Sequence, residues 1–308
     1  MTVLIWAGAV FLLLASLAPL PPKSVLHHDL PSHFVLQWAI GAAVLMVAAL
    51  MFHVHGKIYL VLFASYLLCI YQLFPFLATR KAAPKEGPSL KILQTNIWKN
   101  NGDATALAKL IRDENPDIIA VDEVHAPFEA LFEELKSIYP HQHVRLSTRP
   151  SFGIAVLSKT PLENLSEKYL ATPEIPSIFF RTQLGGKTLD IVALHAANPL
   201  RELGLRDKEF EALAAWRAEE NPPNLIVTGD LNATPYCRAF KKMTQAMNLT
   251  DARRGRGLLG SWPTYARLPF LYIPIDHALA GGGASIDDFK LGPNVGSDHL
   301  PLIFTVRC

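Results

Sequence analysis

Charge is nearly absent from the first quarter of this 308-residue chain: residues 1–79 carry only Lys23, Asp29 and Lys57. So little charge argues against a free-standing soluble domain there and leaves buried core helices as the soluble alternative. Cysteine is scarce too. Cys69, Cys237 and Cys308 are the only three. Their odd number and spacing exclude a disulfide framework and match no zinc or redox motif. A basic excess is also lacking, since residues 80–308 hold 27 Lys and Arg against 26 Asp and Glu. Phosphate contacts dominate nucleic-acid affinity, so this balance counts against a dedicated nucleic-acid binder, although a local basic patch would suffice. There is no internal repeat and no low-complexity tract.

What the first quarter does have is long apolar runs. Residues 3–20, 34–52 and 58–79 are each uncharged. Each is close to the ~20 residues a helix needs to cross a hydrocarbon core. Pro21 and Pro22 end the first run, and Trp38, Tyr59, Tyr66 and Tyr71 suit interfacial positions. The first run lacks the basic start of a signal peptide and two more runs follow it, so residues 1–79 read as a three-helix membrane anchor. Residues 80–88 (RKAAPKEGP) read as a linker short enough to keep the remainder, residues 89–308, close to the bilayer. Lys23, Arg80, Lys81 and Lys85 lie on that domain's side, against the N-terminal amine and Lys57 on the other. This asymmetry leans toward a cytoplasmic domain.

From Leu90 the pattern becomes that of a layered α/β fold. Strands are expected over 90–97, 117–124, 151–159, 177–184, 187–195, 224–232, 272–280 and 300–306. Gly185-Gly186 marks a hairpin turn. Helices are expected over 103–114, with Asp103 as a cap, and over 127–138 and 201–219. Strand after strand ends in a carboxylate, Asn or His, which is where such folds build active sites. Asn96, Glu123, Asp230, Asn232 and Asp298 supply hard oxygen donors suited to Mg²⁺ or Mn²⁺, and His195, His277 and His299 join them. Alone, Asp230 reads as a turn residue, His299 and His277 as structural, and Arg206 as a solvated cation on a helix face.

Six segments in order change that reading: Gln94-Thr95-Asn96, Asp122-Glu123-Val124, Leu194-His195, Gly229-Asp230-Leu231-Asn232, Ile275-Asp276-His277 and Ser297-Asp298-His299-Leu300-Pro301. Together they resemble the endonuclease/exonuclease/phosphatase superfamily of DNase I-like nucleases, neutral sphingomyelinases and inositol phosphatases, over residues 90–308. The resemblance implies a four-layered α-β-β-α sandwich and a metal-dependent phosphoesterase. It implies that Glu123, Asn96 and Asp298 hold the metal and that Asp230 orients or deprotonates water. It implies that Asn232 holds substrate or water, that His195 contacts the phosphate or helps the leaving group, and that His299, fixed by Asp276, donates to the phosphoryl oxygens; the base is either Asp230 or His299. Two positions depart from the pattern. Asp122 stands where an amide is usual, and Pro274 stands where a basic residue is frequent.

The anchored layout further resembles membrane phosphatases of glycopeptide resistance, which act on a polyprenyl pyrophosphate outside the cell, opposite to the charge lean above. Residues 267–275 place Leu268, Phe270, Leu271 and Tyr272 upstream of Asp276, either as core or as an apolar lip at the site. The expected function is hydrolysis of a membrane-associated phosphate or pyrophosphate ester at the cell membrane. One alternative is a tethered nuclease with a basic stripe at Arg253, Arg254 and Arg256. The other is a non-catalytic membrane binding module. The expected partners are the lipid bilayer and a phosphorylated substrate, lipid-linked or nucleic acid, with no obligate protein partner.

Overall fold

The computed structural model describes residues 1–19, 29–79, 86–147 and 149–308. Pro21, Pro22, Lys23, Arg80, Lys81 and Lys85 lie outside them.

The apolar runs form helices α1 (Thr2–Leu17), α2 (Val35–Met51) and α3 (Ile58–Leu77), and a 3-10 turn over Leu30–Phe34 leads into α2. One stripe of each packs inward: Ile5, Ala9 and Leu12 meet Ala42, Ala49, Ile58 and Leu62. The outward faces stay apolar, with Val3, Val44, Leu60 and Phe74 all more than half exposed. Among the described residues two helical stretches, Leu30–Met51 and Ile58–Leu77, are long and apolar enough to cross a membrane. The first run, expected as a third span, gives a helix of 16 residues.

The rest is two six-stranded sheets. The first has the order β11-β12-β1-β2-β4-β3, from β1 (Leu90–Asn96), β2 (Ile118–Asp122), β3 (His141–Arg145), β4 (Ile154–Ser158), β11 (Ser285–Leu291) and β12 (Leu302–Arg307). The second has the order β5-β6-β7-β8-β10-β9, from β5 (Glu163–Lys168), β6 (Ser177–Leu184), β7 (Lys187–Leu194), β8 (Asn224–Asp230), β9 (Leu249–Asp251) and β10 (Asp276–Gly282). Alternation along the strands builds three apolar layers. Ile92, Ile118, Val156, Ile191, Ile226 and Phe304 fill the space between the sheets. Leu93, Ile119 and Leu157 turn the other way, against α4 (Thr105–Glu114) and α5 (Glu129–Glu134). Val192, Leu225 and Val227 face α6 (Leu205–Glu220) and α7 (Arg238–Ala246). The result is an α-β-β-α sandwich.

Element ends differ from the sequence expectation where local hydrogen bonding decides. Asp103 Oδ1 accepts Thr105 N at 2.8 Å, so its Asx turn precedes α4 and Ala104 is the N-cap. The segment 127–138 breaks into a 3-10 turn, α5 and a second 3-10 turn.

The helical module sits on the sandwich. Gly255 N and Gly257 N donate to Pro75 O and Phe76 O at 3.0 and 2.9 Å, and Phe76 meets Tyr236 edge-on at 5.5 Å. Asp29 accepts Arg238 N at the start of α7, where a carboxylate is favoured by the helix dipole.

Candidate active site

β1, β2 and β8 run so that their C-terminal ends meet at one place, and β10 begins there, because Asp276 pairs with Asp230 and Asn96 with Asp122. That register gathers the polar ends of the strands. Two glycines let the backbones close in. A Cβ on Gly229 would stand 1.8 Å from Leu194 O, and one on Gly153 would stand 1.9 Å from Val124 O. Glu123 (φ 60°), Trp98 (φ 60°) and Asn232 (φ 47°) adopt left-handed backbone, as strained residues at functional sites do.

All eight candidate residues join one network. Asn96 Nδ2 donates to Glu123 Oε1 at 3.3 Å and to Asp230 Oδ2 at 3.2 Å, while Asn96 Oδ1 accepts Trp98 N. Asp230 Oδ1 accepts Asn232 N at 2.9 Å, and Oδ2 lies 3.5 Å from His195 Nε2 and 3.7 Å from His299 Nε2. Asn232 Nδ2 donates to Ala196 O at 2.8 Å and faces His195 Nε2 at 3.3 Å. Asp276 Oδ2 bonds His299 Nδ1 at 2.8 Å, and Asp298 Oδ1 lies 3.9 Å from His299 Nε2.

Burial sets the electrostatics. It pushes the Asp230 carboxyl up to about 7, and the neighbouring Asp276 charge adds to this against the pull of His299 and His195. Burial also raises Asp122 to about 7. For His299 burial disfavours the cation, but the Asp276, Asp230 and Asp298 charges overcome it and hold the imidazolium up to about 10. Burial would raise Asp276 as well, yet His299 holds it below the ordinary carboxylate value. His299 is therefore a cationic donor at neutral pH, with its free Nε2 turned to Asp230.

The donor set fits a hard divalent cation at Glu123 and Asp298. Asp298 Oδ1 is buried without a hydrogen-bond partner, and both carboxylates line the cavity described below. Asn96 reaches Glu123 through its amide N–H, and its Oδ1 accepts Trp98 N. Asp230, Asp276 and His299 also offer ligand atoms within 4.8 Å of one another. That trio is less suited to a cation, because Asp276 Oδ2 and His299 Nδ1 already bond each other and Gln94 Nε2 lies 3.4 Å from Asp276 Oδ1.

Several supporting residues escaped the sequence. Lys99 N donates to Glu123 Oε2 at 2.8 Å. Trp262 Nε1 donates to Asp298 Oδ2 at 3.1 Å. Ser297 Oγ donates to Asn96 O and accepts His299 N. Gln94 Nε2 and Asp230 N both donate to Asp122 Oδ2 at 3.0 Å, so the unusual Asp122 ties the two sheets together behind the site. Arg206, expected to be solvated, is 2 % exposed and donates to Asn232 O at 2.9 Å; its helix face is turned inward beside the site. His277 packs structurally, with Nε2 on Ala233 O and Nδ1 on Asp251.

The expected basic stripe is not built. Arg253 is fully buried and Arg256 is spent on the carbonyls of Ala252, Ile286 and Asp287, which leaves Arg254 exposed. The 267–275 segment divides: Ile273, Pro274 and Ile275 are buried as core and Tyr272 is half-buried, while the residues before them are exposed. Leu268, Phe270 and Leu271 are 48 %, 47 % and 37 % exposed. They form a lip beside α2, where Gln37 Nε2 donates to Phe270 O at 2.9 Å.

The site opens into a cavity of about 540 Å³. Its floor is Glu123, Asp230, Asn232, His195, Asp298 and His299, and Trp98, Phe152 and Trp262 form its sides. Leu30, His33 and Phe34, from the turn before α2, line it as well.

Comparison with known proteins agrees with this geometry. No curated protein matches the chain in sequence. Humanized D. rerio TDP2 carrying 14 mutations is similar in fold, with a TM-score of 0.59 at 14% identity over 71% of this chain and 99% of that one. The human Nocturnin catalytic domain, solved with a bound sulfate anion, gives 0.59 at 17% identity over 73% and 96%. Beta toxin from Staphylococcus aureus gives 0.51 at 16% identity over 70% and 99%. These likenesses establish the fold. The family model for the endonuclease/exonuclease/phosphatase family matches residues 93–299, a span that runs from β1 to His299. The chain belongs to the endonuclease/exonuclease/phosphatase family, and with it to the metal-dependent hydrolases of phosphoester bonds.

Proposed function

We propose that the chain is a membrane-anchored phosphoesterase that hydrolyses a phosphate or pyrophosphate ester of a membrane lipid, a polyprenyl one foremost, with Mg²⁺ or Mn²⁺. In this reading it resembles the membrane phosphatases of glycopeptide resistance. One observation carries it: the cavity above the catalytic residues is walled by Leu30, His33 and Phe34 of the apolar helical module. A head group seated on the floor would have its chain beside helices suited to a bilayer. The exposed lip of Leu268, Phe270 and Leu271, with Tyr265 at 66 % exposure, would dip into the same interface. α2 and α3 then span the membrane, and α1 completes the anchor. The balanced charge of residues 80–308 and the buried Arg253 weigh against a nucleic-acid groove.

Glu123 and Asp298 would hold the divalent cation, with Asn96 between Glu123 and Asp230. When bound there, such a cation would supply positive charge to offset that of the phosphoryl oxygens. Asp230 positions the attacking water and takes its proton as the new P–O bond forms and the ester P–O bond breaks. The His299 imidazolium, aimed by Asp276, donates to the phosphoryl oxygen where charge develops. Asn232 and His195 hold the phosphate.

A substrate panel with purified full-length protein and Mg²⁺ tests this, run beside Glu123→Ala. Turnover of lipid phosphates that Glu123→Ala abolishes is the expected result. Robust plasmid nicking without lipid turnover would favour the tethered nuclease instead, and full biological function in Asp230→Asn would favour a binding module.

A further inference from the structure

The family match begins at residue 93, yet Leu30, His33 and Phe34 help line the cavity. His33 is the unusual member of that wall. It is 5 % exposed, it lines the cavity, and its Nε2 has no hydrogen-bond partner. A buried ring nitrogen without a partner forfeits its hydration, so on a ring that lines a binding cavity it is a group that a ligand can satisfy. The segment around it is held still. Asp29 Oδ2 accepts Arg238 N, Ser32 Oγ donates to Asp29 O, Trp38 Nε1 donates to Pro31 O at 2.6 Å, and Gln37 Nε2 donates to Phe270 O. Phe34 stacks edge-on against Trp38 at 6.0 Å, which fixes its ring beside His33.

We propose that the strap Leu30–Phe34 is a substrate-binding element: His33 Nε2 hydrogen-bonds the head group of the bound ester, and Leu30 and Phe34 bed the first carbons of its apolar chain. The catalytic centre is thus incomplete without the N-terminal module. The inference rests on the lipid-ester reading for the chain contacts, and it adds a binding residue that lies outside the family's own segments.

The test uses the full-length protein in detergent–lipid micelles with Mg²⁺, following phosphate release from farnesyl diphosphate and from isopentenyl diphosphate. His33→Phe keeps an aromatic ring, somewhat larger than the imidazole, and removes the nitrogen. It should raise KM for farnesyl diphosphate about tenfold with kcat within about threefold, the loss of one hydrogen bond to a charged group. His33→Gln, which restores a polar atom, should keep KM within about threefold of wild type. Phe34→Ala should raise KM more for the farnesyl than for the isopentenyl ester. His53→Phe, on an exposed turn away from the cavity, is the control. A wild type that turns over neither ester overturns the lipid reading and the inference together. A wild type that turns over farnesyl diphosphate while His33→Phe and Phe34→Ala leave both KM values unchanged overturns the inference alone. Equal losses in His33→Phe and His33→Gln, with matching drops in melting temperature, also overturn it by marking His33 as packing.

Discussion

At the scale of single residues, the proposed chemistry turns on His299 and Asp276. The Asp276 charge at 2.8 Å keeps His299 protonated well above its ordinary value, so activity that needs the imidazolium persists into alkaline pH. In Asp276→Asn the proton is held less tightly, and the alkaline limb of the pH–rate profile should move to lower pH. kcat should also fall roughly 10²–10³-fold as the ring loses its fixed orientation. A profile that keeps its alkaline limb would contradict the pairing. Glu209 gives the opposite kind of titration. It accepts Ala197 N at 2.8 Å just after His195, and burial raises its carboxyl to about 7 from 4.5. The folded state holds that proton more tightly than the unfolded one, so its contribution is fully present below about pH 4.5 and is lost as pH rises through about 7. Unfolding free energies of wild type and Glu209→Gln, measured from about pH 4 to 8, should shift relative to each other by on the order of 3 kcal/mol in favour of Gln as pH rises.

At the scale of elements, the site depends on how closely strand ends approach. Gly229 lies in β8 at φ 143° with Leu194 O where a Cβ would go. Gly229→Ala must push β8 from β7 and should cost about 2–4 kcal/mol in denaturant unfolding, with a disproportionate loss of activity because Asp230 and His195 sit on the two displaced ends. The strands that end at the candidate site were legible in the sequence because in each a buried apolar run stops at a polar residue. β3, β5 and β11 were not, because as edge or outer strands they carry charge on their open side and show no apolar run. α7 was missed because only Phe240 and Met243 of its nine residues are buried. Arg206 was misjudged because helical spacing does not reveal that one face meets a loop carbonyl. Lys99 acts through a backbone contact that no motif encodes, and Ser297, though it opens one of the six segments, shows its hydroxyl contacts only in the fold.

At the scale of the whole molecule, the sequence announced two modules, and the structure joins them at the cavity. The 267–275 segment shows why that junction was hidden. Its apolar residues carry no periodicity that distinguishes a buried strand from an exposed lip, and the hydrogen bond from Gln37 of α2 to Phe270 O that sets the lip beside the helical module has no signal in the sequence. The strap at 30–34 gave even less signal, because it lies far from the site residues in the chain and meets them only as part of one cavity lining. The most direct measurement is phosphate release from a prenyl diphosphate embedded in vesicles that also hold the full-length protein. The account predicts release that requires Mg²⁺ or Mn²⁺ and falls at least about 10³-fold in Glu123→Ala, as loss of a principal metal carboxylate should cause. No release from the vesicles, with the same preparation cutting plasmid DNA in Mg²⁺, would contradict it.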